Sequence, residues 1–247
     1  MKIAVLSDIH SNLEALEACL AHARGQGAEK FVFLGDLLGY GADPKACLEI
    51  ISAMVEDGAL AVLGNHDEAV MGGLCEEMAF IARDAIYWTR EQLQQHHFDF
   101  LKKLPMVAKD GNSLYVHASA YSPERWHYII GTVDAAKCLA ASGMPLTFVG
   151  HVHHQVLYYT TPNKSIQTFI PLSGAAIKLT SRRQWLAIAG SVGQPRDSNP
   201  AAAYVLHDLQ HESLTFFRIP YDFWSAARKV RAAGLSEKLA HQLEHGH

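Results

Sequence analysis

Along the first hundred residues, short runs of β-branched and aromatic residues alternate with longer stretches whose apolar positions recur at helical spacing. Lys2–Ser7 predicts a buried strand, and Leu13–Ala23 a helix, with Ser11 or Asn12 as its N-cap. Lys30–Leu34 predicts a second strand, Pro44–Val55 a second helix with Asp43 before its first-turn proline, and Ala59–Leu63 a third strand. A long helical stretch from Glu76 to Leu104 ends before Pro105. Beyond it the period switches towards strands: Ser113–Val116, Leu146–Val149, Val156–Thr160, Ser165–Ile170, Trp185–Ala189, Ala202–Leu206 and Ser213–Ile219. Only Val133–Ala141 among them has helical spacing, and Tyr221–Ala232 and Glu237–His245 close the chain as surface helices. Alternating β and α followed by a β-rich half predicts an α/β fold with two sheets under outer helices. With no repeat and no Pro/Gly-rich linker, residues 1–247 are expected to form one domain.

An apolar fraction of 49% and a charged fraction of 19% are those of an ordinary globular chain. The formal charge of −4 argues against a general nucleic-acid binder, although a local cation site can still attract a small phosphorylated substrate. Met1–Leu6 is too short for a signal peptide and is interrupted by Asp8, and no apolar run is long enough to span a bilayer. The scattered cysteines Cys19, Cys47, Cys75 and Cys138 fit small buried hydrophobes in a reducing compartment, so a cytoplasmic location is expected.

The positions where predicted strands end carry the chemistry. Asp8-Ile9-His10 follows the first strand, Gly35-Asp36 the second, and Gly64-Asn65-His66-Asp67 the third. His117 and Gly150-His151-Val152-His153 follow two later ones. Ligands bind beyond strand ends in layered α/β folds. Residues two apart on extended backbone reach the same space, which pairs Asp8 with His10 and His151 with His153. Gly35, Gly64 and Gly150 each precede a candidate ligand and permit close backbone approach. Carboxylate, imidazole and amide donors without thiolate suit Mn, Fe, Zn or Ni, and the donors are too many for one tetrahedral ion.

These blocks, D-I-H, G-D, G-N-H-D, H and G-H-V-H, resemble those of the calcineurin-like metallophosphoesterase superfamily in its compact bacterial phosphodiesterase branch, and Gly190–Asp197 resembles a loop of that branch. The resemblance implies a four-layer α/β/β/α sandwich of two mixed sheets flanked by helices. It implies two divalent metal ions, one on Asp8, His10 and His153 and the other on Asn65, His117 and His151, with Asp36 bridging them. A hydroxide between the ions would attack phosphorus in line, and His66 would face the substrate as general acid or leaving-group stabiliser. The sequence departs from the protein-phosphatase branch, with no arginine in Gly35–Gly41, Asp67 in place of Glu, and His117-Ala118-Ser119 in place of H-G-S or H-G-H. Ala118 is expected to fit unless the backbone there needs a positive φ.

The leading expectation is a metal-dependent phosphodiesterase acting on small nucleotide-like diesters. A phosphomonoesterase or a dinucleoside-polyphosphate hydrolase is the alternative within enzymes, and a non-catalytic metal-binding scaffold the alternative outside them. Arg196, in "GQPRD", either forks a substrate phosphate or stabilises a turn. His154 is expected to be a bystander, and His96, His97, His207, His211, His241, His245 and His247 to be surface residues. Substrate choice falls to the loops Gly39–Pro44, Ser119–Ile130 and Gly190–Pro200.

Overall fold

The computed structural model describes residues 1–73 and 78–247. The predicted helix start at Glu76 and the buried setting expected for Cys75 lie outside these residues.

The first half builds a parallel core of one sheet. β1 (Lys2–Leu6), β2 (Lys30–Phe33) and β3 (Leu60–Ala61) run parallel, connected by α1 (Leu13–Gly25) and α2 (Pro44–Glu56). Asn12 is the α1 cap, its Oδ1 accepting from the Ala15 amide at 3.2 Å. Asp43 precedes α2 but turns its carboxylate to Lys229 Nζ, 2.9 Å away. From the second half, β11 (Ala202–Asp208), β12 (Ser213–Ile219) and β9 (Ala176–Lys178) extend this sheet antiparallel, giving the order β3-β2-β1-β11-β12-β9. A second sheet has the order β4-β5-β6-β10-β7-β8, from β4 (Val107–Asp110), β5 (Ser113–Val116), β6 (Leu146–Val149), β7 (Gln155–Thr160), β8 (Ile166–Phe169) and β10 (Trp185–Ala189). Within it β5, β6 and β10 are parallel.

Strand alternation sorts the side chains into layers. In β1, Ile3 and Val5 face the other sheet, while Ala4 and Leu6 face α1 and α2. In β10, Trp185, Ala187 and Ala189 point between the sheets, and Leu186 and Ile188 meet α6 (Thr132–Ser142). The fold is therefore the four-layer α/β/β/α sandwich that the resemblance implied. Near one end, α7 (Phe223–Ala232) and α8 (Glu237–His245) bury small apolar faces against Ala85.

Several boundaries differ from the predicted ones. The long helical stretch is two helices, α4 (Phe80–Gln92) and α5 (Gln95–Leu101), because Leu93 and Gln94 are extended. Asn65 opens a short helix, α3 (Asn65–Val70), directly after the third strand's Gly64. β4 and β9 were missed because each is short and partly exposed and so lacks clear alternation. The α7 helix starts two residues late because Asp222 caps it, Oδ1 accepting from the Ser225 amide at 2.9 Å.

Candidate metal centre

The carboxyl ends of β1, β2, β5 and β6, together with the start of α3, meet at one rim. Backbone bonds sew these loops together. Asp8 N–H donates to the Gly35 carbonyl at 3.1 Å, His10 N–H to Asp36 at 3.0 Å, and Gly150 N–H to His117 at 2.7 Å. Asp8, His10, Asp36, His151 and His153 all have positive φ, between 48° and 67°. Such backbone costs about 1–3 kcal/mol per residue and persists only where its surroundings over-determine it. Close approach also needs glycine. A Cβ on Gly64 would meet Asp36 Oδ1 at 2.2 Å, and one on Gly150 would meet Asp8 Oδ2 at 2.5 Å. Ala118 is absent from the positive-φ residues, so its methyl group is tolerated.

Two groups of ligand atoms with no residue in common result, Asp8, His10 and His153, and Asp36, His117 and His151; a third, His10, Asp36 and His66, overlaps both, and the atoms of each group lie within 4.8 Å of one another. All seven residues are buried. His153 Nε2 is 3.2 Å from Asp8 Oδ1 and 3.2 Å from His10 Nε2. His117 Nε2 is 3.1 Å from both Asn65 Oδ1 and His151 Nδ1, and 3.4 Å from Asp36 Oδ2. That same Asp36 oxygen is 3.7 Å from His10 Nε2, so Asp36 lies between the groups. Each carboxylate is aimed by one backbone amide: His151 N–H donates to Asp8 Oδ2 at 3.0 Å, and His66 N–H to Asp36 Oδ1 at 2.8 Å.

Proton bookkeeping decides what fits the space between these atoms. His10 Nδ1 faces the Leu38 carbonyl at 2.9 Å, His117 Nδ1 faces Leu34 at 2.8 Å, and His153 Nδ1 faces Gln194 at 2.6 Å. A carbonyl only accepts, so each Nδ1 carries a hydrogen, and Nε2 presents a lone pair wherever the ring holds no second proton. His10 and His153 thus point two lone pairs at each other, and Asp8 Oδ1 is buried without a hydrogen-bond partner. An added proton or a metal ion relieves such a set, and these donors fit a divalent metal held by neutral imidazoles with carbonyl-oriented rings.

The titration behaviour agrees. Burial disfavours ionisation, yet His153 and His117 hold the Asp8 carboxyl well below the usual range. Asp36 is held low against its burial by His117 and His66. Burial and then neighbouring His66 and His153 depress His10, and burial lowers His151 to about 3. His117 moves the other way: burial lowers it, but Asp36 overrides this and raises it to about 9. Without metal, a proton on His117 stands in for the cation.

His66 is buried with His10 and Asp36 in the overlapping group, its Nε2 4.0 Å from Asp36 Oδ2 and its ring 4.8 Å from that of His10. Burial lowers its pKa to about 4 despite Asp36, so the ring is neutral at pH 7. Arg196 is exposed at the rim, where Nη2 donates to Gln194 Oε1 at 2.9 Å and to Tyr40 Oη at 3.3 Å. His154 lies outside these groups. His96 is exposed as expected, whereas His97 is 3% and His207 5% exposed. His97 is drawn in by its bond from the Gln94 amide, and His207 by its inward register in β11.

Sequence reasoning missed three aromatic residues here. Tyr40 lies 4.6 Å from the rings of both His10 and His66, Trp126 meets His117 at 5.8 Å, and Tyr128 stacks on His151 at 4.0 Å. The signal was the density of rings soon after His117, at Tyr121, Trp126, His127 and Tyr128. Asp67, which stands where the protein-phosphatase branch carries Glu, has a structural task. It accepts from Gly64 N–H at 3.1 Å, and its other oxygen accepts from Leu38 N–H at 3.1 Å, so it ties the loops of β2 and α3 together.

A family model described as the calcineurin-like phosphoesterase superfamily domain matches residues 1–212. The uncharacterized protein MJ0912 of Methanocaldococcus jannaschii is 34% identical, covering 98% of this chain and 96% of its own. A metallophosphoesterase crystal structure from Sphaerobacter thermophilus superposes with a TM-score of 0.88 at 35% identity, covering 100% of this chain and 99% of that one. The hypothetical protein PH1004 of Pyrococcus horikoshii shares the fold, with a TM-score of 0.79 at 19% identity over 100% of this chain and 98% of its own. By these matches the chain belongs to the calcineurin-like phosphoesterase superfamily and is a metallophosphoesterase.

Proposed function

We propose that the chain is a phosphodiesterase acting on small nucleotide-like diesters, with two divalent ions drawn from Mn, Fe, Zn or Ni. Asp8, His10 and His153 would hold one, Asn65, His117 and His151 the other, and Asp36 would touch both. The observation that carries this reading is the facing pair of lone pairs on His10 and His153, continued through Asp36 to the donors around His117. Bound ions would activate water and neutralise the phosphoryl oxygens. Two divalent charges against two carboxylates and one anionic nucleophile leave about +1, which matches the single charge of a diester better than the double charge of a monoester.

The surrounding residues then have separate tasks. Carbonyls of Leu34, Leu38 and Gln194 fix the three imidazole rings. His66 is neutral, so it serves the leaving oxygen by donating a hydrogen bond from Nε2, the nitrogen aimed at Asp36, instead of arriving as a full acid. Arg196 provides a cation at the rim for a phosphoryl oxygen. We treat residues 1–247 as one domain, because α7 and α8 pack against Ala85. Among the described residues no helix is long and apolar enough to cross a membrane, and Cys19, Cys47 and Cys138 are buried free thiols, which supports a reducing cytoplasm.

Comparing turnover of bis-p-nitrophenyl phosphate with that of p-nitrophenyl phosphate under Mn²⁺ tests the proposal. Faster diester turnover is expected. Faster monoester turnover overturns the diester assignment, and no turnover with fewer than two bound ions points to a scaffold.

A further inference from the structure

The segment between His117 and α6 presents aromatic rings to the centre. Trp126 is tied down there, its Nε1 donating to Glu68 Oε2 at 3.1 Å while its ring meets His117 edge-on. Tyr128 is placed differently. It lies nearly flat on His151, the planes 24° apart, yet it is 53% exposed. One face is covered by the imidazole, so that exposure belongs to the opposite face and the edge. Tyr128 also lines a cavity of about 110 Å³ with Ser119, Tyr121, His127, Asp134 and Lys137. Tyr121 and His127 stack on each other in its wall at 5.9 Å and 24°. A purely structural cover for His151 would need neither an open ring face nor a second aromatic pair beside it.

An open aromatic plane next to a phosphate-binding centre suits a planar heteroaromatic group, because every nucleobase has a π-face to stack. We infer that Tyr128 is a specificity-determining residue whose free face stacks a nucleobase carried on the retained ester arm of the substrate. The retained arm follows from the sides of the site. His66, which serves the leaving oxygen, touches His10 and Tyr40, whereas Tyr128 touches His151. The inference rests on the phosphodiester reading above, and its test keeps the two separable.

Thymidine 5′-(p-nitrophenyl phosphate) and methyl p-nitrophenyl phosphate release the same leaving group and differ only in the retained arm. With Mn²⁺, the protein should favour the thymidine ester by about tenfold in kcat/KM, mostly through KM. Tyr128→Leu should bring the ratio close to one, while Tyr128→Phe and Tyr128→Trp keep it. Calorimetric binding of thymidine 5′-monophosphate against methyl phosphate gives the same ratio without turnover. Equal affinities in the unaltered protein, or a ratio that survives Tyr128→Leu, overturn the inference. So does loss of Mn²⁺ in Tyr128→Leu, which would make the ring a mere cover for His151. A nucleotide preference that falls with Tyr128→Leu while neither diester is hydrolysed leaves the stacking standing and removes the diesterase reading.

Discussion

One strand links two regions that obey opposite rules. In β1, Ile3 and Val5 sit in the layer between the sheets with Phe148, Leu157 and Val205, an apolar layer of extended strands. A few residues further on, Asp8 and His10 are just as buried, yet both have left-handed backbone, and Asp8 Oδ1 has no hydrogen-bond partner. The core buries what water rejects and is complete by itself. The rim buries what water would solvate and is completed only by a cation. The difference separates stability from chemistry: damage to the core should unfold the protein, and damage to the rim should silence it.

Removing Asp36 attacks the rim at its shared point. Asp36→Ala is expected to abolish diester turnover and to lower the metal content measured by elemental analysis. His66→Ala sharpens the contrast within the rim: full metal content with turnover reduced by about 10²–10⁴-fold. Equal metal loss in both variants would move His66 into the ligand set. Phe148→Ala is the converse. It should lower stability by about 3–5 kcal/mol in urea melts, while the folded fraction keeps its metal-to-protein ratio. Metal loss without loss of stability there would erase the distinction.

The smallest effect is a pH dependence of the metal-free protein. His117 is raised to about 9 in the fold, above the ordinary 6.5. Its contribution is therefore fully present below pH 6.5 and is lost as pH rises through 9. Asp67, raised to about 7 by burial and by Asp36, changes in the same direction but between pH 3.8 and 7. Urea midpoints of chelator-treated protein should fall between pH 7 and 9, and fall less when metal is bound. A midpoint that rises over this range contradicts the protonated His117.

How much was legible beforehand follows the same division. Strongly alternating or fully apolar segments such as Lys2–Leu6 and Trp185–Ala189 were found, because burial dictates their composition. β4 and β9 were not, since partly exposed edge strands need no apolar pattern. The seven candidate ligands were read from strand ends, and the fold brings their side chains to one rim, Asn65 from the first turn of α3. The left-handed backbone at the ligands was invisible, because glycine was the expected carrier of positive φ and here aspartate and histidine carry it. The resemblance offered His66 as general acid or leaving-group stabiliser without choosing between them, and burial, which keeps the ring neutral, favours the second. Tyr40 and Tyr128 escaped notice because rings packed on ligands leave no spacing signature.

The pairing of cations across Asp36 is tested most directly by an anomalous-scattering map of Mn²⁺-loaded crystals. Two peaks are expected, one among Asp8, His10 and His153 and the other among Asn65, His117 and His151, with Asp36 oxygen reaching both. A single peak, or peaks away from Asp36, would contradict it.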